Sequence, residues 1–268
     1  MIVKAPAKIN ICLDIVGKRQ DGYHLLHTVM HEIPVYDIVT VEKSDEITVK
    51  CMGMDNEQNI AYKAAKAFFD YTDIPGGAKI EIEKHIPKEA GLGGGSSDAA
   101  SVIKALNDIY KTNLSDKQMC EIAVTVGADV PFFIIGGCCE AKGIGEILTP
   151  VKPLPKCYTV LVKPKFSVST KEAFRIIDSC TPKPHTDTCE IVNALNKGDL
   201  HFIAENMFNV METSEEIIKI KEQILSYGAL GAVMSGSGSS VFALFDNPEL
   251  AKNCKNNLEK NMEFAELF

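Results

Sequence analysis

Several familiar signals are missing from this chain, and each absence removes a class of function. The formal net charge is −8 and no basic cluster occurs, so a nucleic-acid partner is not expected. The acidic balance disfavours polyanions in general. A small anionic substrate stays open, because a few local donors suffice to hold one phosphate. Long apolar runs are also lacking. Runs such as PFFII at 131–135 are far too short to span a bilayer, and no membrane partner is expected. The opening MIVKAPAKIN has no basic stretch followed by a long apolar segment, so it does not read as a signal peptide. There are nine cysteines, an odd number, yet no C-x-x-C pair, which leaves no metal-site spacing. Adjacent Cys138 and Cys139 read as small buried hydrophobes, and the whole as a reduced, cytoplasmic protein.

The 268 residues, 46% of them apolar, suffice for one large domain or two modest ones with a sizeable core. In the first part, period-two alternation predicts strands at 9–16, 36–41, 46–51 and 79–84. Helical spacing of apolar residues predicts helices at 59–71, about 97–110 and 115–126, the last with Ser115 as N-cap. The apolar run after Asp129 reads as a strand. Three prolines in TPVKPLPK at 149–156 suit a stiff connection, which divides the chain into 1–152 and 153–268. Beyond it, strands are expected at 158–162, 231–234 and 240–245. Helices are expected at 170–178, 188–196, 200–211, 215–227 and 248–261.

The segment Pro87, Lys88, Glu89, Ala90, Gly91, Leu92, Gly93, Gly94, Gly95, Ser96, Ser97 lies between a strand and a strong helix. Glycines let backbone N–H groups converge on one anion, and the following helix adds its free N–H groups and the positive end of its dipole. A flexible linker is the competing reading, but linkers seldom sit between a strand and a helix inside one domain. The segment has no Gly-Lys-Ser/Thr ending, so it is not a Walker A loop, and it lacks the dinucleotide fingerprint. Nucleotide-phosphate binding outside those two folds follows, with the Ser97 hydroxyl placed to reach a phosphate or its Mg2+.

Phosphoryl transfer needs charge stabilisation and a group to take or orient the attacking hydroxyl's proton. Lys8, in APAKIN, and Asp129, in GADVPFF, are candidates. An aspartate beside so apolar a run is costly to bury without a partner, and a lysine nearby favours its carboxylate form. Taken singly, a lysine is more often a surface residue and an aspartate a turn former, so the residues alone leave this open.

Three segments in fixed order are more specific: PAKIN at 6–10, Pro87 with GLGGGSSDAA at 91–100, and AVMSGSGSSVFALF at 232–245. Together they resemble the three motifs of the GHMP kinase superfamily. DGYH at 21–24 and GADVPFF at 127–133 narrow the likeness to one branch, and it runs over nearly the whole chain. The resemblance implies an α+β, two-domain GHMP kinase fold, with an N-terminal domain like the second domain of ribosomal protein S5 and a ferredoxin-like C-terminal domain. It implies ATP and Mg2+ as cofactors, with the loop 87–97 around the phosphates and Ser97 the one protein group toward the metal. Lys8 and Asp129 become the catalytic pair. The implied substrate is a small molecule, a cytidine diphosphate-linked methylerythritol phosphorylated on its 2-hydroxyl in the non-mevalonate route to isoprenoid precursors. The implied assembly is a monomer or homodimer.

Within that resemblance Tyr23 offers a face for the cytosine, His24 an edge that can donate or accept, and Phe174 a cover for the other face. Asn10 is a further substrate contact, and Gly236, Ser237 and Gly238 support the substrate phosphates. On residue type alone, Tyr23 and His24 equally suit a polar turn. The chain stops soon after the last helix, so a closing strand is expected to be short or absent. Kinases for homoserine or mevalonate, a nucleotide-sensing module and a decarboxylase of the same superfamily are the rivals.

Overall fold

The computed structural model describes residues 1–179 and 185–268, so Cys180 lies outside the described residues. The chain packs into two compact units. The first comprises residues 1–8, 32–86 and 93–136; the second comprises 9–31, 87–92 and 137–268. Strands β1 (Ile2–Lys18) and β2 (His24–Ser44) run through both. Strand β1 starts seven residues before the predicted 9–16. Strand β2 extends far upstream of the predicted 36–41, because its polar residues there alternate poorly.

In the first unit, β3 (Thr48–Cys51) leads through α1 (Ile60–Thr72) to β4 (Gly77–Glu83). Strands β3 and β4 pair in parallel, so α1 is the crossover such a pair requires. The far half of β2 pairs antiparallel with β4, from Ile38 opposite Glu83 to Ser44 opposite Gly77. Helices α2 (Gly94–Tyr110), α3 (Asp116–Val126) and α4 (Val130–Ile135) complete the unit. Helices α1 and α2 pack on each other, and α4 packs on α2 and α3. Phe68, Ile80, Ile103, Leu106 and Phe132 are fully buried there.

Two of these elements differ from the sequence expectation. The run after Asp129 is the helix α4, with a proline at its start, and not a strand; a short apolar run has no period to separate the two, and a proline suits a helix's first turn. Helix α2 starts at Gly94, inside the glycine run, three residues before the expected 97. Gly93, in the left-handed region, turns the chain into it.

The second unit holds β5 (Cys138–Lys142) and β6 (Ile147–Pro150), a hairpin that sequence patterning missed. Strand β5 pairs with the near half of β2. Next come β7 (Tyr158–Lys163), α5 (Thr170–Ile177), α6 (Thr188–Lys197) and α7 (Leu200–Asn206). Helix α7 ends five residues short of the expected 211, and the chain continues as β8 (Phe208–Asn209), parallel to β1. The unit closes with α8 (Glu215–Ser226), β9 (Gly231–Met234), β10 (Val241–Phe245), α9 (Pro248–Leu258) and β11 (Phe264–Leu267). The closing strand is therefore present, four residues long and paired with β7.

An antiparallel sheet in the order β11-β7-β10-β9 carries α8 and α9, the ferredoxin-like layer of the α+β fold. Val160, Val162, Val241, Ala243, Phe245, Ile217 and Leu258 fill its core. Cys138 and Cys139 are buried, as expected. No helix among the described residues is long and apolar enough to cross a membrane.

Helix α3 has the fullest cap. The Ser115 hydroxyl accepts from Gln118 N, and the Gln118 side chain accepts from Ser115 N. Ser115→Ala is expected to lower unfolding stability by about 1 kcal/mol, read as a lower urea midpoint at unchanged m-value.

Candidate active site

In the first unit, β1 delivers Lys8 at its inner end and the start of α4 delivers Asp129. Lys8 is buried, 4% exposed, and its ammonium stands 4.0 Å from Asp129 Oδ2. The Asp129 side chain keeps 37% of its surface open. It occupies the N-cap position of α4 yet caps no helix N–H, so its oxygens are not spent on the helix. Burial pushes the Lys8 ammonium below the usual lysine range, and Asp129 partly opposes this. One buried cation beside one half-open carboxylate is an arrangement able to take a proton and to steady negative charge.

Gly93 ties the loop to this pair. Its φ is +70°, and a Cβ there would lie 2.8 Å from the Phe133 ring and 3.1 Å from Lys8 Cγ. Only glycine lets the backbone come so close. The residues after it, 94–97, form the open first turn of α2, where N–H groups have no helical partner except Ser97 N, which reaches Gly93 O at 2.9 Å. Ser97 is fully buried and its hydroxyl has no partner. That orphaned oxygen, the free N–H groups and the glycine at the closest approach suit a phosphate group with its metal.

A buried ion cluster stands at both ends of the loop. Lys84, just before it, donates to Asp98 Oδ2, just after it, at 2.7 Å, and also bonds Asp37 Oδ2. The other oxygen of Asp37 accepts from His85 N at 2.6 Å and Ile86 N at 2.8 Å. Asp37 is fully buried and Asp98 nearly so, with Asp98 Oδ1 unpartnered. Loss of solvation, with Asp37 nearby and despite Lys84, lifts the Asp98 carboxyl to about 7. Burial alone would depress Lys84, but the two carboxylates hold it above the usual range. No sequence pattern links Asp37 to this site; it lies 47 residues from Lys84.

In the second unit the three motifs meet on one hydroxyl. Ser235 Oγ accepts from Asn10 N at 3.3 Å and donates to Gly91 O at 3.0 Å. Asn10 Nδ2 donates to Thr28 Oγ1 at 2.8 Å. Gly91 has φ of +73°, and a Cβ on it would lie 2.0 Å from Ser235 O. Ser240 N adds a bond to Ala90 O at 3.2 Å. The turn through Gly236, Ser237 and Gly238 is held by Asn209, whose side chain donates to Met234 O and Gly236 O at 2.8 and 2.7 Å. Ser237 Oγ lies 2.8 Å from Thr170 Oγ1. In the loop itself Ala90 and Leu92 point inward, Pro87 is half-buried, and Lys88 and Glu89 are exposed.

The aromatic residues expected to recognise a base also fall in this unit. His24 stacks on Phe174, with ring centroids 4.7 Å apart and planes at 15°. Tyr23 is 59% exposed and has no ring partner among the described residues. Two residues that sequence reading did not single out join them: His24 Nε2 lies 2.7 Å from Asp178 Oδ1, and Lys18 donates to Asp178 Oδ2 at 2.6 Å.

The raised Asp98 carboxyl has a consequence for stability. The folded protein holds this proton up to about pH 7, whereas the unfolded chain releases it near the ordinary value of 3.8. The extra proton stabilises the fold below that lower value, and the contribution is lost as pH rises through 7. Asp98→Asn is expected to flatten the fall in stability over this interval, measured by urea unfolding at several pH values.

Comparison with known proteins identifies the family of the chain. The family described as GHMP kinases N terminal domain matches residues 59–137, and GHMP kinases C terminal matches 191–263. The 4-diphosphocytidyl-2-C-methyl-D-erythritol kinase of Clostridium acetobutylicum is 44% identical over 100% of this chain and 98% of its own length. That of Clostridium tetani is 46% identical over 95% of this chain and 94% of its own. A crystal structure of 4-(cytidine 5'-diphospho)-2C-methyl-D-erythritol kinase superposes with a TM-score of 0.83 at 34% identity, covering 100% of this chain and 98% of the other. A homoserine kinase from Cytophaga hutchinsonii reaches a TM-score of 0.77 at 21% identity, covers 100% of this chain and 93% of its own, and shares the fold. Sequence, architecture and motif geometry together place the chain in the GHMP kinases, and within them in the family of 4-diphosphocytidyl-2-C-methyl-D-erythritol kinases.

Proposed function

We propose that this protein transfers the terminal phosphoryl group of ATP to the 2-hydroxyl of 4-diphosphocytidyl-2-C-methyl-D-erythritol. The observation that carries the reading is the buried Lys8 ammonium 4.0 Å from a carboxylate, Asp129, that its own helix leaves uncommitted. Asp129 takes the hydroxyl proton as the O–H bond breaks. The oxygen forms a bond to the terminal phosphorus, and the P–O bond to ADP breaks with its electron pair leaving on ADP. Lys8, beside Asp129, steadies the alkoxide as it develops.

The loop residues Pro87–Ser97 hold the triphosphate through backbone N–H groups, with Gly93 giving the closest approach. The Ser97 hydroxyl, which has no partner among the described residues, would be the protein group toward Mg2+ bound with ATP, and the metal would supply charge neutralisation at the phosphates. Tyr23, His24 and Phe174 take the cytosine, while Asn10 and the Gly236–Gly238 turn take the rest of the acceptor. The organisation into domains at 1–152 and 153–268 belongs to the same proposal; the two family matches, 59–137 and 191–263, fall on either side of that division.

A coupled ADP-release assay tests the acceptor. Turnover is expected with the cytidyl substrate and not with homoserine or mevalonate; equal rates with homoserine would overturn the assignment. Asp129→Asn is expected to lower kcat by about 10²- to 10⁴-fold while ATP still binds by calorimetry. Undiminished turnover in that variant rejects Asp129 as the base. Because burial lowers Lys8, its charge is lost at a pH below the ordinary lysine range. The alkaline fall of kcat is therefore expected below that range in the wild type and absent from the residual activity of Lys8→Met.

A further inference from the structure

The contacts of His24 fix more than its position. Asp178 sits at the end of α5, four residues after Phe174, so one helical turn presents both the ring that stacks on His24 and the carboxylate that bonds its edge. Lys18, from the end of β1, holds the other carboxylate oxygen at 2.6 Å. With a lysine and the imidazole as partners, Asp178 is held ionised, and an ionised carboxylate can only accept hydrogen bonds. His24 Nε2 must then be the donor. In a neutral imidazole a proton on Nε2 leaves a lone pair on Nδ1. Among the described residues, Nδ1 has no hydrogen-bond partner.

We propose that Asp178 is a positioning residue that fixes His24 in the Nε2–H tautomer, so that Nδ1 presents an acceptor and the site selects a base carrying an exocyclic amine over one carrying a carbonyl there. The inference rests on the cytosine reading given above and deepens it, because it supplies a reason for preferring cytosine to uracil. Cytosine offers an N–H at position 4 and uracil an oxygen. An acceptor facing that oxygen leaves two lone pairs opposed and a buried polar atom unpaired, which costs roughly 10- to 100-fold in affinity. Lys18 contributes by keeping Asp178 an acceptor. The stacked Phe174 keeps the ring from turning over.

Two measurements test this on the full chain at pH 8, above the ordinary imidazole range. The first is ¹⁵N-edited NMR of the ligand-free enzyme, with His24 assigned by its loss in His24→Gln. The wild type is expected to show Nε2 protonated and Nδ1 bare. In Asp178→Asn the amide can donate to Nε2, and the proton is expected to move wholly or partly to Nδ1. A wild-type ring protonated on Nδ1, or no change in the variant, overturns the proposal whatever the substrate proves to be. The second is the ratio of kcat/KM for the cytidyl substrate to that for its uridyl analogue. Asp178→Asn is expected to shrink that ratio at least about tenfold. A merely structural loss at the end of α5 would lower both values together and leave the ratio unchanged, which again overturns the proposal. Failure of the wild type to use either nucleotide substrate would instead sink the cytosine reading, while the NMR result still decides the tautomer.

Discussion

The Ser235 hydroxyl has one proton to give and gives it to Gly91 O, while it accepts from Asn10 N. Three stretches of chain, more than 200 residues apart at the extremes, are thereby brought to one atom. Asn10 and Gly91 contribute backbone atoms, so the junction depends on one side-chain rotamer, that of Ser235. The closeness of the approach then restricts composition, since Gly91 passes with no room for a Cβ against Ser235 O. Two residues before Asn10 stands Lys8, and two after Gly91 stands Gly93. Lys8 and Gly93 therefore each lie two residues along the chain from backbone that this hydroxyl holds.

Charge burial is handled in three different ways. Lys163 is almost wholly enclosed and fully served, by Pro164 O, Phe166 O and Glu263 Oε2 at 3.0, 3.3 and 2.6 Å. Lys84 is clamped between two acids, and its cluster also holds the backbone leading into the loop. Lys8 faces its acid at 4.0 Å, beyond hydrogen-bond length. In the first two the lysine donates directly to its acid. In the third the ammonium stands off from an acid that keeps 37% of its surface open, which suits a proton acceptor.

Much of this was legible in the sequence where the signal is local. The Ser115 cap needs only its own neighbours, and residues 231–234 were read to the residue as a strand. The glycine run was read as a loop up to Ser97, yet α2 begins at Gly94, because tertiary packing outweighs the weak helix propensity of two glycines. The run after Asp129 defeated period reading, since six apolar positions in a row, five of them buried, look alike as helix or strand. Helix α7 broke early where Met207 leaves helical geometry and the chain turns into β8. Asp37, Asn209 and Asp178 carried no local signal at all. Each acts on residues reached only through the fold: Lys84 across β2 and β4, the Ser/Gly turn, and His24 154 positions away.

The packing around the loop also governs how its sequence can drift. Gly91 meets backbone, which cannot retreat, and Gly93 meets the Phe133 ring and the stem of Lys8. Lys88 and Glu89, between the same two ends, face solvent. The outer rim therefore carries no packing limit like that on the inner glycines, and its constraint is of the backbone, since Glu89, at φ +50°, favours residues that tolerate the left-handed region. A compound that displaces the nucleotide by contacting only the glycine backbone would leave few single substitutions able to evade it, whereas one that leans on the side chains of Lys88 or Glu89 would meet resistance early.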